Sequence, residues 1–126
     1  MILLPQPLRA RLLLNGAAER ETDHVPVVKV FNPLGVGTWL ITEMMADGDT
    51  LFGLCDLGEP ELGSVSLAQI AAVRLPFGLT IERDVYFKTG FPLSVWTEAA
   101  RRTGSIHGAE VLLRVIARGP FGGSAS

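Results

Sequence analysis

The chain has a single cysteine, Cys55, so no internal disulfide can form, and its two histidines, His24 and His107, cannot complete a four-ligand zinc site with that thiol. Basic residues are sparse: there are two lysines, Lys29 and Lys88, no Lys/Arg run, and a net charge of −2. Such a chain lacks the electrostatic footprint that binds phosphate backbones. Its 13 Asp and Glu residues are too few for a DNA mimic. No long apolar run occurs either, because Pro5, Pro7, Arg9 and Arg11 interrupt the opening Met-Ile-Leu-Leu before it reaches a signal-peptide core or a membrane span. The expectation from these absences is a cytoplasmic protein with no cofactor, no membrane contact and no nucleic-acid partner.

What is present is a globular composition. Apolar residues make up 48% of the 126 and charged residues 19%, enough to fill the core of one domain. Pro5 and Pro7 open a short helix in which Leu8, Leu12 and Leu13 face inward while Arg9 and Arg11 project outward, and Asn15-Gly16 ends it. Val27 to Phe31, Thr38 to Glu43, Leu51 to Asp56 and Glu61 to Val65 read as consecutive strands separated by Gly, Pro and Asp turns. Ser66 and Gln69 have capping-box spacing at the start of a helix from Leu67 to about Arg74. Thr80 to Phe87 alternates with period two, predicting a further strand with Arg83 on its apolar face. Ser94 is placed to cap a helix that stops at Gly104, and Ala109 to Ala117 fits a final helix or strand.

This order predicts an α+β domain over residues 1–118, a mostly antiparallel meander with about three short helices on one face or at its ends, and a disordered tail over 119–126.

Several of these segments carry a resemblance. The opening Leu-Leu-Pro with Leu-Arg-Ala-Arg-Leu, His24 to Lys29, Thr38 to Glu43, Leu51 to Gly58, Glu61-Leu62-Gly63 and Ile81 to Asp84 resemble a bacterial domain-of-unknown-function family, number 2958, carried on plasmids, integrative elements and phages. The likeness covers about residues 1 to 107. Ser64 departs from it, standing where the family usually has Tyr, so an aromatic contact open to the family is absent here. The chain beyond His107 has no clear counterpart. The resemblance implies a mobile-element setting, where small proteins blunt host restriction or CRISPR defence or assist element maintenance, and implies no established activity.

The side chains themselves offer few arrangements for chemistry. Glu43 and Asp56 could pair as carboxylates, but a hairpin that sets Glu43 beside Leu51 puts Thr38 opposite Asp56 and leaves the two about 17 Å apart. Asp56, Glu59 and Glu61 flank one turn and are weak candidates for a divalent cation, although three carboxylates on an exposed loop read first as a solvated turn. Arg83 needs a partner on its apolar face, and the predicted one is Glu43, with Glu61 second. Cys55 sits mid-strand and reads as a core thiol rather than a nucleophile, His24 and His107 as exposed, and Gly35-Val36-Gly37 as a turn because no helix follows it. Tyr86 shares its strand face with Glu82 and Asp84.

The function expected is therefore a small non-catalytic binding protein of a mobile element, plausibly acting in counter-defence as an anti-CRISPR or antirestriction factor. Its contact surface is expected on Glu82, Asp84 and Tyr86 with the acidic turns around Asp47, Asp49, Glu59 and Glu61. Two alternatives are a metal-assisted hydrolase or nuclease on the acidic turn and a DNA-associated accessory protein using Arg9, Arg11, Arg101, Arg102, Arg114 and Arg118. The partner is a host or element protein, and Val111 to Ile116 is apolar enough for packing on a second copy.

Overall fold

The computed structural model describes residues 2–18 and 22–119. The tail expected over 119–126 falls outside them, apart from Gly119. The elements run α1 (Gln6–Gly16), β1 (Val28–Phe31), β2 (Thr38–Met44), β3 (Thr50–Asp56), β4 (Pro60–Ser66), α2 (Leu67–Ala72), β5 (Glu82–Arg83), α3 (Leu93–Thr103) and α4 (Ile106–Arg118). The architecture is α+β, with one five-stranded sheet in the order β4-β3-β2-β1-β5 and every pair antiparallel. Residues Ala109 to Ala117, open between helix and strand in the sequence, are helical.

The helices divide between the two faces of the sheet rather than gathering on one. Strand alternation sends Val28, Val30, Trp39, Ile41, Met44 and Leu51 to the face covered by α1, where Leu12 is fully buried. Leu40 and Leu54 point the other way, against Leu93, Trp96 and Ala100 of α3 and Ile106, Ala109 and Leu113 of α4. A sheet with two covered faces has to be apolar on both in its central strands, which explains why Trp39, Leu40 and Ile41 follow one another in β2.

Strand β2 carries a bulge. Ile41 lies opposite Gly53 but Glu43 lies opposite Phe52, so Thr42 is the extra residue. It is fixed from both sides: Thr42 Oγ1 donates to the Phe52 carbonyl at 3.3 Å, and Asn15 Nδ2 at the end of α1 donates to the Thr42 carbonyl at 2.9 Å. Two glycines allow the close approach this requires. A Cβ on Gly16 would stand 2.0 Å from the Met44 carbonyl oxygen, and one on Gly53 would stand 1.9 Å from that of Leu40.

The predicted strand from Thr80 to Phe87 contracts to Glu82–Arg83. Asp84 ends it, since its Oδ1 accepts the Tyr86 amide at 3.0 Å and its carbonyl accepts the Phe87 amide at 3.2 Å, turning the chain away from β1. Val85, expected to be buried, is consequently exposed. Helix α3 begins at Leu93 with Ser94 inside it, and the cap comes from a distance: Asp23 accepts both the Ser94 amide and its hydroxyl. Gly104, at φ 89°, ends that helix as predicted. Arg9 does not project freely, because its guanidinium donates to the Gly48 carbonyl at 2.9 Å and ties α1 to the β2–β3 loop.

Gly53→Ala should lower stability by about 3 kcal/mol in urea unfolding, because its methyl would meet backbone that cannot step aside. Gly63→Ala, with open space where its Cβ would stand, should change it by less than about 0.5 kcal/mol.

Candidate functional site

The alternation that buries Val28 and Val30 under α1 leaves Lys29 and Phe31 on the opposite face, at the edge of the α3–α4 layer. Lys29 is only 15% exposed there, so its ammonium needs compensation. It donates to Glu110 Oε1 on α4 and stands 3.7 Å from Asp84 Oδ2, with its Nζ 6.0 Å from the centre of the Phe31 ring. Glu110 Oε2 in turn lies 3.9 Å from Arg114 Nη2. One cation thus joins β1, the turn after β5 and α4.

Two cavities adjoin this cluster and share Asp84, Tyr86 and Glu110. One, of about 420 Å³, runs over Phe87, Phe91, Trp96 and Arg114; the other, of about 480 Å³, over Phe31, Thr38, Glu82 and His107. Their wall is rigid on the α3 side, where Trp96 Nε1 donates to Thr89 Oγ1 at 3.0 Å and the Phe87 and Trp96 rings stand 6.0 Å apart. Tyr86 projects between them and is 92% exposed, held up by the Asp84 turn.

A third cavity, of about 600 Å³, lies beside α3 and over β3 and β4. Glu43, Phe52, Leu62 and Ser64 line it from the sheet, Leu93 and Thr97 from the helix. The bulge at Thr42 puts Glu43 here: without the extra residue it would share the α1 face with Ile41, as the sequence predicts.

That rotation undoes the predicted Arg83–Glu43 pair. Arg83 lies opposite Val30, on the α1 face, and its Nη1 donates to the carbonyls of Ile2 at 3.0 Å and Leu3 at 3.2 Å. Arg83 therefore ties the N-terminal segment to the sheet edge. Glu61, the second choice, sits on β4 at the far edge.

The remaining acidic candidates separate as well. Asp56 is buried and both of its oxygens are engaged, Oδ1 by the Gly58 amide at 3.0 Å and Oδ2 by the Ile106 amide at 2.9 Å, where it helps Ser105 start α4. Asp49 performs the same task for α2, accepting from the Ala68 amide at 2.8 Å and the Ser66 hydroxyl at 2.6 Å; Ser66 accepts from the Gln69 amide at 3.2 Å. Asp47 closes the hairpin loop, and the Thr50 hydroxyl, followed by the Thr50 and Asp49 amides, holds its carboxyl below the ordinary aspartate value. Glu59 and Glu61 flank the β3–β4 turn, across the whole sheet from Glu82 and Asp84, so the seven residues form no single surface. Among the described residues no three His, Cys, Asp or Glu come together to hold a metal ion. The six arginines of the basic patch divide between α1 on one face and α3 with α4 on the other.

Cys55 is half-buried between strands, and burial, with the Glu61 charge opposite, pushes its thiol pKa up. His24 is not exposed as expected: its carbonyl accepts the Leu93 amide at 2.9 Å, and its Nε2 is buried with no hydrogen-bond partner among the described residues. His107 is exposed. One conspicuous residue carried no expectation. Phe77 stands at φ 65° with its ring 92% exposed, a left-handed conformation that is costly for a side chain of its size. The Pro76-Phe77-Gly78 punctuation could have marked that turn.

The sequence model of one protein family, described as "Protein of unknown function (DUF2958)", matches residues 3–107. No curated protein and no solved structure matches the chain.

Lys29→Met should cost about 2 kcal/mol in equilibrium unfolding, since it leaves Glu110 and Asp84 half-buried with their shared cation gone. Cys55, with its raised thiol pKa, should react with iodoacetamide at pH 7.5 at least tenfold more slowly in native protein than in urea-unfolded protein. Equal rates would show the thiol to be open to solvent.

Proposed function

The chain belongs to the DUF2958 family of proteins of unknown function, and we propose that it is a small non-catalytic binding protein acting through contacts with another protein. The observation that carries this reading is Tyr86. An aromatic ring that is 92% exposed contributes little to the fold, yet here it stands on a fixed turn between two cavities with Val85 exposed beside it. Rigid, solvent-facing aromatics next to concave surface are the usual anchors of protein interfaces, because they bury much area for little lost conformational entropy. Glu82 on one flank and Lys88 with Arg114 on the other provide a polar rim of both signs.

The surface is smaller than the sequence suggests. Asp84 is committed to Lys29 and to its own turn, Asp49 to α2, and Glu59 with Glu61 to the other edge of the sheet. Tyr86, Val85 and Glu82 remain as the contact residues of this reading. The partner is a host or element protein in the cytoplasm, and the role is counter-defence for a mobile element; both rest on the family resemblance. No helix among the described residues is long and apolar enough to cross a membrane. Should the protein self-associate, the outward stripe of α4, Val111, Val115 and Ile116, is where a second copy would pack.

Tyr86→Ala should reduce retention of the partner in pull-downs from the native host at least tenfold while leaving the thermal midpoint unchanged, as loss of an interface anchor does. Glu82→Lys should weaken it less. Retention that survives both substitutions would place the contact elsewhere.

A further inference from the structure

Strand β4 is the outermost of the sheet on its side. It pairs with β3 along its whole length, Pro60 to Ser66, and among the described residues nothing pairs with its other side. Edge strands are normally protected by brevity, bulges, lysines, central prolines or a covering segment. β4 has none of these beyond Pro60 at its first position: it is seven residues long, as long as the central strands, its register with β3 is unbroken, and it contains no lysine.

The groove beside this edge has a definite chemistry. The register Glu43, Phe52, Ser64 runs straight across three strands on the α3 face, and Leu62 lies on that same face. Among the described residues the third cavity is lined by two carboxylates, Asp23 and Glu43, and by no Lys, Arg or His. Asp23 is engaged in starting α3, whereas Glu43 has no hydrogen bond or ion pair among the described residues. Glu59 adds negative charge at the end of the strand, while Glu61, opposite Cys55, lies on the other face.

We infer that β4 is a strand-addition site for an extended, basic segment of another protein. The incoming backbone hydrogen-bonds to the open edge, and its alternate side chains fall on the α3 face. The one opposite Ser64 is a Lys or Arg. It starts about 14 Å from the Glu43 backbone, three strand spacings, a gap that two extended side chains close across the ring of Phe52. Ser64, small and exposed, leaves the path open. A second copy is the poorer occupant: residues 58–66 contain no Lys or Arg and would bring a second set of carboxylates to an acidic groove. The site is independent of the Tyr86 surface, which lies at the other edge.

The test is selection of a displayed library of random ten-residue peptides on the full-length protein, followed by titration of the most enriched peptide as a fluorescent synthetic probe. The expected result is enrichment of Lys or Arg at alternating positions, slowed hydrogen exchange of the amides within residues 61–66 that point away from β3 on addition of the probe, and an affinity that falls about tenfold in Glu43→Gln. Ser64→Lys, which supplies the cation within the chain, should abolish binding with no loss of thermal stability, and Tyr86→Ala should leave binding unchanged. No enrichment, peptides without alternate cations, affinity indifferent to Glu43→Gln, or protection away from residues 60–66 would overturn the assignment. So would β4 amides already slow to exchange because the protein is a dimer through that edge.

Discussion

One extra residue in β2 governs much of the molecule. Thr42 shifts the pairing of β2 with β3 by one position, and a one-residue shift in a strand reverses which face every later side chain takes. Met44 thereby returns to the α1 core and Glu43 leaves it. The bulge is held where α1 ends, by the Asn15 amide on the Thr42 carbonyl, and α1 can come that close because Gly16 has no Cβ to meet Met44. Helix, bulge and hairpin are therefore one device: loss of the helix contact would release the register, and loss of the register would drive a carboxylate into the apolar core.

Around that device, fold and surface share their charges sparingly. Lys29 and Asp56 are the charged side chains most enclosed by the α3–α4 layer, and each holds α4 in place, Lys29 through Glu110 and Asp56 through the Ile106 amide at the start of the helix. Placing a buried carboxylate at a helix N-terminus satisfies amide groups that have no carbonyl partner of their own, and pairing a half-buried ammonium with a carboxylate offsets its desolvation. Both therefore have structural work. Groups without such duties are the ones on which the proposed contacts rest: Tyr86 and Glu82 near one edge, the β4 backbone at the other, and Glu43 on the middle strand.

Much of this fold is legible in the sequence because its signals are local. The Ser66 cap and the Gly104 stop depend on residues only a few positions apart, and the hairpin that sets Thr38 opposite Asp56 and the succession of antiparallel strands on adjacent segments and the turns between them. The misreadings are all nonlocal. Thr80 to Phe87 has strand periodicity, but Asp84 folds back on the Tyr86 amide while its carboxylate faces Lys29 of β1, far away in sequence. Ser94 has the composition of a cap, yet the cap is Asp23, 71 residues away in sequence. The pairing of Arg83 with Glu43 fails because strand alternation alone does not reveal the bulge at Thr42, which turns Glu43 to the other face. The candidate site fares likewise: Tyr86 is recognisable as a lone tyrosine among acids, whereas the two faces and two edges that separate Glu82 from Glu61 exist only once the strands are ordered.

The strand order also explains why the two edges differ. The β5 edge is two residues long, and Arg83 binds the N-terminal segment beside it through the carbonyls of Ile2 and Leu3, so little ladder is left open there. The β4 edge lacks brevity, and among the described residues no segment pairs with its outer side. A strand of that length left open needs either a defence against aggregation or a use. Its carboxylates defend it against a second copy of itself, and the same charge admits a basic chain. Exclusion of the like partner and acceptance of the unlike one are then a single property of the edge, set by the absence of cations between Gly58 and Ser66.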